Sequence, residues 1–298
     1  MSAQRVRIPD PAEPVPGISL PALGLLAAGL LLWWGSTLAY IGGLWPWPLS
    51  TALNALASYL LFTVAHDASH HSLSSSERAN TWMGRTATVF FAPHAGFRTW
   101  RFIHMQHHRF TNHHDGSDPD DYTNRGPGWQ APLRWLTIDL WYMVFYLPRL
   151  ASRPSRERWE LAATWVLVFG ACGWTIASGN LFGLVVLYLL PVRIAVMFLG
   201  FAFDYLPHHG LESTPAEDRL KSTRLRVGSE RLLSPLLLYQ NYHLVHHLHP
   251  LVPFHRYLAV WWRGEEQYLL GEPALTTVRG RPLTVEEYRA MRGPDRRP

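Results

Sequence analysis

Charged residues disappear from the chain in two long blocks. Between Pro14 and His66 there is no Asp, Glu, Lys or Arg in 53 residues, and between Leu161 and Val192 there is none in 32. After Arg193 the apolar string IAVMFLGFAF extends the second block. A membrane-crossing helix takes about 20 predominantly apolar residues, so each region has room for two. The pattern predicts spans near 18–42, 48–65, 161–178 and 181–203, with LWPWP turning the first pair. Trp33, Trp34, Trp45 and Trp47 suit interfacial belts. Residues 133–150 read as an apolar, Trp-containing helix interrupted by Arg134 and Asp139, lying in the interface rather than crossing it.

These elements divide the chain into three parts. Residues 1–17 are polar and Pro-rich, an extended cytoplasmic leader. Residues 18–262 form one all-α membrane domain, its spans topped by a cytoplasmic helical cap, and residues 263–298 form a polar tail. The start does not read as a signal peptide, because Arg5, Arg7, Asp10 and several prolines precede an apolar run too long for an h-region. No internal repeat of fixed period is visible.

Charge then orients the spans. The formal net charge of +5 comes almost entirely from arginine, with Lys221 the only lysine. The arginines gather outside the spans, at Arg149, Arg153, Arg156 and Arg158 and again from Arg219 to Arg231. Under the positive-inside rule these segments are cytoplasmic, as expected for the inner membrane of a bacterial-type cell. No nucleic-acid recognition motif accompanies them. The one cysteine, Cys172, falls in a predicted span and excludes an internal disulfide, a Cys-based zinc site and a chain-borne iron–sulfur cluster.

Histidine carries the candidate chemistry. Eight of the sixteen histidines fall in three boxes: H-D-A-S-H at His66–His70, H-M-Q-H-H at His104–His108 and H-L-V-H-H at His243–His247. Within a helix, residues four apart share a face, as do residues three apart. His66/His70, His104/His108 and His243/His247 have the first spacing, and His107 and His246 add the second. Neutral imidazole binds iron, copper, zinc and nickel. Eight ligands exceed what one metal takes, so two metals are expected. Four spans with a cytoplasmic start put all three boxes on one side of the membrane. His208, after the fourth span in F-D-Y-L-P-H-H, makes a ninth candidate. Asp204, four residues earlier, is a direct, water-mediated or outer carboxylate, or a solvated interfacial acid. Asn241, two residues before the third box, orients a ligand or caps a helix. The Ser117–Asp121 run either braces the second box or forms an acidic turn. H-D-A-S-H also approaches the H-E-x-x-H of zinc proteases, but that reading leaves two boxes unexplained.

The box set resembles the integral-membrane fatty acid desaturase and hydroxylase superfamily over residues 50–260. Its longer strings, H-D-A-S-H, H-M-Q-H-H, D-P-D, F-D-Y-L-P-H and Q-N-Y-H-L-V-H-H-L-H-P, are most similar to the cyanobacterial-type β-carotene hydroxylases. The resemblance implies two iron ions, O2 as co-substrate and electrons from an external carrier, usually ferredoxin. It implies metal ligation by His66, His70, His104, His107, His108, His208, His243, His246 and His247. Where acyl-CoA desaturases of the superfamily place asparagine, four residues before the extra histidine, this chain has Asp204. The activity implied is hydrogen removal from an unactivated C–H bond, first at a carotenoid β-ionone ring to give a hydroxylated xanthophyll such as zeaxanthin. An acyl-lipid desaturase or hydroxylase, a carotenoid ketolase and a non-catalytic metal-binding membrane protein are the alternatives. The Arg-rich face either docks an acidic carrier such as ferredoxin or only sets topology.

Overall fold

The computed structural model describes residues 6–292. Four helices are long and apolar enough to cross a membrane: α1 (Leu20–Ile41), α2 (Trp47–Ser69), α6 (Ser155–Ala177) and α7 (Leu181–His208). Between them and after them come α3 (Glu77–Thr88), α4 (Phe97–Phe110), α5 (Ala131–Tyr146), α8 (Glu230–Leu236), α9 (His243–Leu248), α10 (Tyr257–Leu269) and α11 (Val285–Arg292).

The spans differ in how much of their surface is enclosed. In the most apolar window of α2, 67% of residues are buried within the protein, against 6% for α6. α2 is therefore the inner span and α6 faces outward with Val166, Leu167, Phe169 and Trp174. Gly29 lets α1 approach α2, since a Cβ there would lie 2.7 Å from Leu61 Cγ. On its other side α2 meets a π-helical turn of α7 at Val185–Leu189. Thr51 Oγ1 donates to Val186 O at 2.6 Å and Asn54 Nδ2 to Leu187 O at 2.8 Å. Such turns disturb the helical hydrogen-bond ladder, and polar side chains of a neighbouring helix can satisfy the freed carbonyls.

A second π-helical stretch, Gly200–Tyr205, precedes His208. Gly200 is needed there, because a Cβ would fall 2.9 Å from Trp135 Cα and O on α5. α5 is also tied to α7 by charge: Asp139, 4% exposed, pairs with Arg193 through both Nη1 and Nη2. An arginine inside a span is costly unless paired and hydrogen-bonded, and this pair answers that cost.

Several boundaries differ from the sequence expectation. α2 runs past residue 65 because its polar end is enclosed: His66, Asp67 and Ser69 are all buried. α6 starts at Ser155, ahead of 161, since Glu160 receives Arg85 and Arg98, and Glu157 receives Arg153 and the Tyr146 hydroxyl. The fourth helix continues beyond 203 to carry Asp204 and His208.

The described part of the expected polar tail, residues 263–292, is folded into the body, and residues 293–298 lie outside the described residues. Its first residues complete α10, and a small sheet follows, in which β1 (Leu225–Val227) pairs parallel with β2 (Leu275–Thr277) and β2 antiparallel with β3 (Pro282–Leu283). The fold is thus mostly helical with a little sheet, not purely α. Tyr268, Leu269, Leu275 and Tyr288 are buried, and Trp261 Nε1 donates to Tyr288 Oη at 2.9 Å. The described part of the leader is also held. Glu13 accepts from Arg256 through both carboxylate oxygens and from Arg263 through Oε1, and Ser75 N donates to Pro16 O at 2.8 Å.

Candidate metal centre

Four elements deliver the histidines. α2 supplies His66 and, at its C-cap, His70; α4 supplies His104, His107 and His108. α7 ends on His208, and α9 supplies His243, His246 and His247. Helical spacing aims each set to one side, and the fold turns the four sides toward one another. Two groups of ligand atoms result, each within 4.8 Å: His66, His70, His104 and His246, then His107, His208, His243 and His247. His108 lies between them, grouped with His246 and His247. All nine predicted histidines are present in these groups.

Outer partners fix which nitrogen faces inward. His66 Nδ1 lies 3.2 Å from Asp67 Oδ1, His107 Nδ1 2.9 Å from Asp118 Oδ1, and His243 Nδ1 2.8 Å from Gln240 Oε1. His246 Nδ1 meets the Tyr257 hydroxyl at 2.9 Å. Carboxylate and amide oxygens accept, so Nδ1 of His66, His107 and His243 carries a proton and turns Nε2 toward the centre, while the Tyr257 hydroxyl can accept from or donate to His246 Nδ1. The Nε2 atoms converge closely, at 3.1 Å for His66/His246, 2.8 Å for His70/His104, 2.9 Å for His108/His246 and 3.0 Å for His243/His247.

Electrostatics agree with metal ligation. Burial pushes His70, His104, His108, His243, His246 and His247 well below the usual histidine range, with neighbouring imidazoles adding to the effect. They are therefore neutral, the ligating form. His107 differs. Burial lowers it, but the charges of Asp120 and Asp118 prevail and push it up to about 9. Burial in turn raises Asp120 to about 6. His208 is 4% exposed, and neither ring nitrogen has an aligned hydrogen-bond partner. A buried imidazole left so is costly unless something else binds it. Donor type, convergence and this orphaned ring all fit a pair of iron ions.

An apolar cavity ends on the centre. Most of its lining surface is apolar. Phe62, Phe91, Trp100, Ile138, Leu199 and Phe203 wall it, and His66, His104, His107 and His243 reach its inner end. Asp204 lines the same cavity beside Asp120 but belongs to none of the converging groups.

Asn241 does not touch a box histidine and makes no helix cap. Its Nδ2 goes to Arg226 O and Ser234 Oγ, joining β1 to α8. The neighbouring Gln240 orients the ligand instead. The Ser117–Asp121 run braces the second box, with Asp118, Asp120 and Asp121 each 4% exposed. Asp67, Gln240 and Tyr257 were not singled out as supports by sequence. Gln240 sits one turn before His243, and that spacing was the available signal; Tyr257 offered none. His71, His94, His113, His114, His209, His249 and His255 stand outside the converging groups.

A membrane protein whose spans and intervening helices bring nine imidazoles together, four of them at the end of an apolar cavity, belongs to the membrane di-iron oxidoreductases. The chain is a member of the fatty acid desaturase family, whose profile matches residues 42–278. It is similar to a β-carotene ketolase of Paracoccus sp. (strain PC1), 28% identical over 262 residues, covering 83% of this chain and 92% of that one. A second β-carotene ketolase, of Paracoccus sp. (strain N81106 / MBIC 01143), is 30% identical over 219 residues, covering 72% and 76%. The sn-2 acyl-lipid omega-3 desaturase (ferredoxin) of Helianthus annuus is 27% identical over 263 residues, covering 78% of this chain and 56% of its own length.

Proposed function

We propose that this protein oxygenates the β-ionone ring of a carotenoid, with the nine histidines holding two irons and a ferredoxin-type carrier supplying electrons. The observation that carries this reading is the apolar, aromatic-walled cavity that ends on the imidazoles. The two ketolase relatives favour a carotenoid over an acyl chain, and the ferredoxin in the desaturase relative's name favours that class of donor. The arginines flanking α6 and following α7 favour a cytoplasmic centre in a bacterial-type inner membrane.

When bound, the irons supply the activation of O2 and the removal of hydrogen from an unactivated C–H bond. The chain's own residues do the rest. Phe62, Phe91, Trp100 and Phe203 hold the substrate end and exclude water. Asp67, Asp118 and Gln240 keep three imidazoles in one tautomer, and Tyr257 holds the orientation of a fourth. Asp204, at the cavity wall, is an outer carboxylate that orients polar groups near the reacting carbon.

The product depends on how long the first alcohol stays. An alcohol that leaves is a hydroxylated xanthophyll; one oxidised again at the same carbon becomes a ketone. Sequence strings put hydroxylation first, whereas the relatives raise the ketone above it. Acyl-lipid desaturation is the second reading, supported by the desaturase relatives. Expression in bacteria that accumulate β-carotene, with ferredoxin and its reductase, tests all three by mass spectrometry of pigments and lipids. Pigment carrying ring ketones or alcohols is expected. Unchanged pigment beside acyl chains lighter by two hydrogens would move the protein to the desaturases.

A further inference from the structure

The metal centre borders two cavities of different chemistry. Adjoining the apolar cavity is a second, lined mostly by polar and ionisable residues, with polar and apolar surface in comparable amounts. Asp118, Asp120, Asp121, Asn124, His114 and Glu212 contribute most of that lining. His107 and Asp120 line both cavities and so form the wall between them. The outer end is open to solvent: His114 and Glu212 are exposed, and His114 bridges Asp121 at 2.7 Å and Glu212 at 3.0 Å. The inner end is His208, whose two buried ring nitrogens lack an aligned hydrogen-bond partner, as does the buried Asn124 Oδ1 on the wall. Polar groups of this kind, in a roomy polar cavity, are met by water.

We propose that the second cavity is the aqueous port of the metal centre, the route by which protons arrive and product water leaves. The proposal rests on the oxygenase reading. Hydroxylation converts R–H, O2, two electrons and two protons into R–OH and one water. Desaturation breaks two C–H bonds and converts O2, two electrons and two protons, with those hydrogens, into two waters. In both, the electrons come from an external one-electron protein carrier, and protons must reach a site whose other entrance a hydrocarbon fills. An apolar cavity cannot conduct them. The second cavity carries four carboxylates (Asp118, Asp120, Asp121 and Glu212) and two imidazoles paired with them, His107 and His114, with Arg125 also on Asp121, a set of groups that can pass protons through water.

Substituted cysteines test this. In a Cys172→Ser background, Asn124→Cys is treated with a small cationic methanethiosulfonate, and Leu211→Cys serves as a second variant on the same lining. Labelling is expected in folded metal-free protein, followed by roughly tenfold slower uptake of aqueous Fe(II). In iron-loaded protein, labelling should cut kcat by roughly a hundredfold, the low end of what positioned proton transfer contributes, with iron content and substrate KM unchanged. A reducing thiol should restore both. Absence of labelling in both folded variants, or labelling that leaves kcat and Fe(II) uptake unchanged, overturns the port. If the unlabelled enzyme oxidises neither carotenoid nor acyl lipid, the functional reading fails, while labelling and Fe(II) uptake still decide the port.

Discussion

The two imidazole groups have the same number of rings and different surroundings. His66, His70, His104 and His246 are supported by one carboxylate, Asp67, and one phenol, Tyr257. His107, His208, His243 and His247 include His107, which backs onto the acidic wall of Asp118 and Asp120, and His208, whose ring nitrogens have no aligned hydrogen-bond partner. Both groups reach the apolar cavity, the first through His66 and His104 and the second through His107 and His243, whereas only the second, through His107 and His208, also lines the acidic one. Equivalent ligand sets in unequal fields give two metals unequal affinity and potential, so the centre is chemically asymmetric.

The largest effect is expected where the groups meet. His246 belongs to the first group and to the bridging set with His108, so His246→Ala should remove both irons and abolish turnover. His107→Ala should empty the second group first, with membrane insertion intact in each variant. Retention of full iron and activity in either would break the ligand assignment.

A tenfold to hundredfold loss in metal affinity or activity is typical when an outer partner is removed. Asp118→Asn should reach the upper end, because Asp118 holds His107 and also accepts from Asn112 N and Asp120 N, each at 2.9 Å. Tyr257→Phe should stay near the lower end. Titration of metal-free protein with Co(II), read by absorbance, ranks them; equal losses would remove the asymmetry.

Acidity separates the groups as well. Ligation requires neutral imidazole, and His107, held near 9, must give up a proton before it binds. Metal affinity of the second group should therefore rise with pH up to about 9 and level off above. The metal-free fold behaves oppositely. A raised folded-state pKa stabilises fully below the unfolded value, near 6.5, and that contribution is lost as pH rises through about 9. The lowered histidines, His70, His104 and His108 among them, weaken the same fold as pH falls below about 6.5, where the unfolded chain takes up protons they refuse. Chemical denaturation of metal-free protein from pH 5 to 10 should thus show a stability maximum between these limits; a curve flat through pH 9 would contradict the His107 assignment.

The smallest expected effect distinguishes two adjacent amides. Asn241→Ala removes two hydrogen bonds between β1 and α8 and should cost about 1–2 kcal/mol of stability with iron content unchanged. Gln240→Ala frees His243 Nδ1 and should lower iron affinity instead.

What could be read in advance follows from range. The four spans and three boxes are local patterns of charge depletion and helical spacing, and both survive in the fold. Asp204 and His208 lie one helical turn apart, but hydropathy ends the span at 203, so their place on the same helix is visible only in the fold. Asn241 misled because adjacency to a box says nothing of direction: Gln240, one position earlier, points at His243 while Asn241 points at Ser234. The Tyr257–His246 contact and the pairing of β1 with β2 join segments with no shared periodicity, and strands of three residues are too short to show alternation. The leader and tail looked polar in sequence because their few apolar residues, such as Val6, Leu275 and Tyr288, find partners only in the folded body.

The account stands most directly on metal content. Protein purified from iron-supplemented membranes should hold two irons per chain by elemental analysis, and His208→Ala should hold about one with the His66 group still filled. One iron in the parent protein, or an unchanged two in His208→Ala, would contradict a centre built from two converging imidazole groups.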